Sequence, residues 1–80
     1  MYFVYLMQSI SFPDKTYIGY TINIEERVKK HNSGGAFHTA KYKPWELIVY
    51  LGFKSEVKAI EFEKYLKSGS GRAFATNRLW

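Results

Sequence analysis

The first ten residues, MYFVYLMQSI, are almost unbroken in apolar and aromatic side chains. So short a run, rich in aromatic and β-branched groups, predicts a strand over Tyr2 to Gln8 that is buried on both faces. Turn residues follow at Ser11-Phe12-Pro13-Asp14-Lys15, and Thr16 to Tyr20 reads as a second strand. The short connection makes an antiparallel hairpin the simplest pairing. Asn23, with Glu26 three residues later, has the form of an N-cap and its capping-box acid. The helix it opens, about ten residues long, runs to a stop signal at Asn32-Ser33-Gly34-Gly35. Residues 33–44 read as a loop, and Trp45 to Phe53 (WELIVYLGF) as a third strand. Ser55 is placed to cap a second helix from Glu56 to Lys67. Ser68-Gly69-Ser70-Gly71 then breaks the chain before a short final helix, Arg72 to Leu79. Neither repeats nor a long linker divide the sequence, so residues 1–80 are expected to form one domain. The order ββαβαα predicts an α+β fold, a three-stranded antiparallel sheet flanked by helices.

Projecting these helices at about 100° per residue exposes polar groups on apolar faces. In the second helix Ala59, Ile60, Phe62 and Leu66 share one arc. Glu63 falls inside it, while Glu61 lies nearly opposite. Glutamate is almost never fully buried unless it is paired or binds a metal, and the plain alternative is a rim glutamate with a Lys or Arg partner. In the first helix Ile24 and Val28 define the apolar face, with Arg27 and His31 on the same side. Two helices thus direct a carboxylate, a guanidinium and an imidazole toward a sheet that carries Tyr5 and Tyr17. That set suits phosphodiester cleavage. One carboxylate holds a hard cation such as Mg²⁺, with water and phosphate filling its remaining positions. The arginine neutralises charge on the phosphate, and a tyrosine or the histidine takes the proton from water. Zinc ligation by Arg27 and His31 fails for want of ligands.

Composition changes the picture in two ways. With 46% hydrophobic residues, 19% of the chain being aromatic, it has the material for a dense core despite its size. The formal charge of +5 favours an anionic partner, nucleic acid first. Lys41, Lys43, Lys64, Lys67, Arg72 and Arg78 are the candidate phosphate contacts, the alternative being a merely solvated surface. With no cysteine, disulfides and thiolate metal sites are excluded. No apolar run approaches the ~18 residues of a membrane span. The apolar N-terminus lacks a basic leader and a small-residue cleavage site, so a strand is expected there and a cytoplasmic protein overall.

The ordered set Phe3-Val4-Tyr5, Tyr17-Ile18-Gly19, Arg27 with His31-Asn32, and Glu63 resembles the GIY-YIG nuclease superfamily over essentially the whole chain. Lys43-Pro44-Trp45-Glu46-Leu47-Ile48 and Phe62-Glu63-Lys64-Tyr65-Leu66-Lys67-Ser68-Gly69 are similar to it as well. The chain looks like the small stand-alone, excinuclease-like bacterial members and the nuclease domain of the eukaryotic structure-specific junction endonucleases. The resemblance implies a DNA endonuclease dependent on Mg²⁺ or Mn²⁺, acting on branched DNA in repair or recombination. It marks Tyr5 and Tyr17 as the motif tyrosines, one of them a general base or positioner of water. Arg27 becomes the phosphate-binding arginine, His31 an aid to proton transfer, and Glu63 the metal ligand. Gly19 is expected where backbone packs closely against a catalytic element. Two departures stand out. The first motif reads FVY, and the asparagine that several members carry about a dozen residues after the glutamate is replaced by alanine at the nearest equivalent, Asn77 being the candidate to substitute for it. Lys41, Lys43, Lys67 and Arg72 are the expected DNA contacts. Two alternatives are a nucleic-acid-binding module on the same fold and a protein-interaction domain using the aromatic surface near Trp45 and Trp80.

Overall fold

The computed structural model describes residues 1–80 in full. Strands β1 (Tyr2–Ser9), β2 (Thr16–Thr21) and β3 (Trp45–Phe53) form one antiparallel sheet in the order β2-β1-β3. The central place of β1 accounts for its unbroken apolar run, since Val4 to Met7 are buried from both sides. Alternation along β1 divides the core in two. Val4 and Leu6 pack with Ala59, Leu66 and Ala75 on one face, while Tyr5 and Met7 pack with Trp45 on the other. In β3 the register against β1 slips between Leu6 and Met7, which pair with Val49 and Leu47 and pass over Ile48. The irregularity puts Leu47 and Trp45 on the Tyr5 face although Val49 serves the other.

Four helices cover the sheet: α1 (Ile24–Asn32), α2 (Phe37–Ala40), α3 (Glu56–Leu66) and α4 (Gly69–Arg78). Asn23 caps α1 by accepting from the Glu26 amide, and Ser55 caps α3 by accepting from that of Lys58. The stop signal after α1 also works as read, with Gly34 at φ +82°, the left-handed region that glycine enters at no steric cost. None of the helices is long and apolar enough to cross a membrane.

The structure corrects the sequence reading at four points. The segment expected to be a loop holds the single turn α2. Ser68-Gly69-Ser70-Gly71 starts α4 instead of breaking the chain, because the Ser68 hydroxyl accepts from the Gly71 amide as an N-cap. Ile60 leaves the expected stripe and is exposed, because only Ala59 and Leu66 of α3 reach the sheet fully. Trp45 belongs to the core, its indole N–H donating to the Thr39 carbonyl, so it forms no surface with Trp80.

Candidate active site

Tyr5 stands on the central strand directly opposite Gly19 on β2, with Tyr17 diagonally across on the same face. A Cβ on Gly19 would lie 2.5 Å from the Tyr5 ring and hydroxyl, so the third residue of Tyr17-Ile18-Gly19 makes room for the end of Tyr5. The ring centroids of Tyr5 and Tyr17 are 6.1 Å apart, and those of Tyr17 and His31 5.0 Å.

His31 enters this cluster from α1 and is buried, with both ring nitrogens engaged. Its Nδ1 is 2.7 Å from the Thr39 hydroxyl, and its Nε2 is 2.8 Å from that of Tyr5. Thr39 Oγ1 donates to the Ala36 carbonyl, so its oxygen is left to accept from His31 Nδ1–H. This arrangement favours the Nδ1–H tautomer. Nε2 carries the lone pair and accepts from the Tyr5 O–H. Burial, helped by the Arg27 and Lys30 charges, holds the His31 pKa below 6.5 and keeps the ring neutral. Tyr5 is pushed well above the ordinary phenol range, by burial above all and by the adjacent Tyr17; Glu63 adds to the rise and Arg27 opposes it.

Arg27 is half-buried on α1 and makes no ion pair or side-chain hydrogen bond. Its donors are free for an anion. Glu63 comes from α3, in the layer on the opposite face of the sheet, yet its charge reaches Tyr5. Tyr5, Tyr17 and His31 thus form one contact cluster on β1, β2 and α1, and the charges of Arg27 and Glu63 both bear on its Tyr5. Glu63 is itself paired with Lys67 at 3.5 Å, the rim pairing that the helical projection offered as the plain alternative. With Lys67 about half exposed, such a pair contributes little, about 0–1 kcal/mol.

The expected DNA contacts divide. Lys67 and Arg72 line a cleft of about 530 Å³ together with Tyr17. Lys41 and Lys43 lie elsewhere: the Lys41 ammonium is 5.3 Å from the Tyr42 ring, and Lys43 sits against Gly34. Asn77 is exposed on α4 and is not among the cleft residues. Sequence reasoning missed Thr39, an ordinary threonine in a polar segment whose contact with His31 is made only by the turn at Gly34. It also gave no role to Asn32, whose amide accepts from the Trp45 N–H and donates to the Trp45 carbonyl, fastening the end of α1 to β3.

The GIY-YIG catalytic domain family matches residues 1–77 of this sequence. The chain belongs to the GIY-YIG family. Among similar proteins, structure-specific endonuclease subunit SLX1 of Candida dubliniensis is 40% identical over 73 residues, covering 82% of this chain and 26% of that protein. The SLX1 homolog of Giardia intestinalis is 38% identical over 60 residues, 70% of this chain and 17% of its own. This GIY-YIG chain thus spans about a quarter, or less, of the length of these curated relatives. The solution NMR structure of a UPF0213 protein from Bacillus halodurans superposes with a TM-score of 0.56 at 30% identity, covering 96% of this chain and 84% of that one. The α+β architecture expected from the sequence agrees with that neighbour.

Proposed function

We propose that residues 1–80 form a single DNA endonuclease domain, dependent on a divalent metal, that hydrolyses phosphodiester bonds in branched DNA during repair or recombination in the cytoplasm. What carries this reading is the buried Tyr5–His31–Thr39 hydrogen-bond chain beside Tyr17, with the charges of an unpaired Arg27 and of Glu63 both bearing on Tyr5. A module that only binds nucleic acid has no use for a buried Tyr5–His31 pair. The names of the SLX1 relatives, structure-specific endonucleases, support branched DNA as the substrate.

In this mechanism Tyr17 meets the attacking water. It is partly exposed, whereas Tyr5 is 1% exposed and meets only protein. As the oxygen attacks phosphorus, its proton passes to Tyr17 while the Tyr17 proton moves to Tyr5 and that of Tyr5 to His31 Nε2. No tyrosine then carries a full charge, which suits the raised pKa of Tyr5. Arg27 takes the non-bridging oxygens through paired N–H donors and opposes the growing negative charge. No three His, Asp or Glu side chains gather as a protein-only metal cage. A lone carboxylate at Glu63 fits a hard cation that keeps most of its water, Mg²⁺ or Mn²⁺. When bound, the ion polarises the phosphoryl oxygen and steadies the leaving oxyanion. Lys67 and Arg72 are the nearer DNA contacts, with Lys41 and Lys43 reaching backbone farther along the duplex.

The test is a cleavage panel on duplex, flap, fork and four-way-junction DNA with Mg²⁺. Nicking is expected on the branched forms, falling at least 100-fold in Glu63→Gln and Arg27→Ala, on the order of the loss from removing one charge-stabilising group. Undiminished nicking by Glu63→Gln contradicts the metal assignment, and DNA binding without nicking in the native protein favours the binding module.

A further inference from the structure

Resting on that reading, we propose that the cleft beside Tyr17 is a subsite for one unpaired nucleotide, with Trp80 as the platform for its base and Lys67 and Arg72 as the contacts for its phosphates. At about 530 Å³ the cleft has the size of a small-ligand site. Lys67 and Arg72 are its only charged lining residues; Arg72 makes no ion pair, and the Glu63 carboxylate that pairs with Lys67 at 3.5 Å stands outside the lining. The rest of the lining mixes Tyr17, Ile18 and Trp80 with the hydroxyl groups of Thr16 and Thr76, over a floor of buried Leu66 and Ala75.

The mixture decides the ligand class. A duplex offers protein only its phosphates and groove edges, because its base faces are stacked inside. An open indole gains nothing from it. An unpaired nucleotide presents a π-face beside a phosphate, the pair that single-strand sites bind with aromatic and basic side chains. Trp80 is 39% exposed, against 4% for Trp45, so one of the two tryptophans is free to stack. Tyr17 belongs both to this cleft and to the cluster with Tyr5 and His31. A nucleotide held here therefore lies beside the phosphate to be cut, and cleavage next to an unpaired base becomes a property of the fold.

Fluorescence reads this out without any variant. Adding oligothymidylate to the native protein is expected to quench the exposed Trp80 saturably, whereas a duplex of equal charge leaves emission unchanged. Labelled DNA followed by anisotropy gives the affinities. Trp80→Ala is expected to weaken oligothymidylate about tenfold while leaving duplex binding unchanged, and Trp80→Phe to retain most of the affinity because a ring remains. Arg72→Ala weakens both DNAs and lowers the salt slope by about one phosphate contact. Oligothymidylate bound with no quench, or Trp80→Ala affecting single strand and duplex equally, overturns the subsite. The two readings separate cleanly. Quench and selectivity without nicking support the subsite and defeat the nuclease; nicking with native affinity in Trp80→Ala defeats the subsite alone.

Discussion

At the scale of single residues, the site depends on a hydrogen-bond chain with a direction. Thr39 receives the Nδ1 proton of His31, and His31 receives the Tyr5 proton at Nε2. Thr39→Val keeps the shape but leaves Nδ1–H buried without a partner, at a cost of about 1–3 kcal/mol. Nitrogen-correlated NMR of His31 is expected to show a single Nδ1–H tautomer in the native protein and a tautomer mixture in Thr39→Val, with Thr39→Ser restoring the native spectrum. The lowered His31 pKa has a further consequence. The unfolded chain, with its histidine at 6.5, takes up a proton before the folded one does. The stability from keeping His31 neutral is therefore complete above 6.5 and is lost as pH falls through the folded value. The melting temperature is expected to fall just below that pH, and to fall less steeply in His31→Gln. Arg27, His31 and Glu63 stood out in the sequence because they share helical faces with apolar residues, whereas Tyr5 and Tyr17 were marked only by their resemblance to the family's motifs. Thr39 was not, since nothing local marks a threonine whose partner is eight residues away around a turn.

Elements were legible where caps and periodicity agreed, as in α1 and α3 behind Asn23 and Ser55. They were misread where glycine was taken for a breaker. Gly71 is needed because α4 passes so close to α3 that a Cβ there would stand 1.6 Å from the Tyr65 carbonyl oxygen. That atom is backbone and has no rotamer to yield. Gly71→Ala is accordingly expected to cost at least the upper end of the ~1–3 kcal/mol typical of overpacking, measured by urea unfolding. Gly69, with nothing within 4 Å of its Cβ direction, is expected to accept alanine with little change. Equal effects at the two glycines would contradict the packing of α4 on α3. The same close approach, through Leu66 and Ala75, builds the cleft beside Tyr17.

For the whole molecule, helices pack on both faces of the sheet, and the candidate site draws on both layers near the β1–β2 pair. Neither layer is sufficient. Arg27 and His31 come with α1, Glu63 with α3, and Tyr5 and Tyr17 with the sheet between them. The fold class was readable from the order of elements. The placing of the site was not, because it depends on strand order, and a hairpin followed by one more strand leaves open which strand lies in the middle. The formal charge of +5 belongs to this scale as well. Affinity for DNA is expected to fall linearly on a log–log salt plot, with a slope of several phosphate contacts, and a flat plot would contradict a phosphate-bound substrate. On the proposed reading, Tyr5, Tyr17, Arg27 and His31 act together with a cation held at Glu63. Anomalous scattering from crystals soaked in Mn²⁺ tests it most directly. One strong peak is expected about 2.0–2.6 Å from a Glu63 carboxylate oxygen, with Lys67 displaced from its ion pair. A peak elsewhere, or an intact Lys67–Glu63 pair at saturating Mn²⁺, would contradict it.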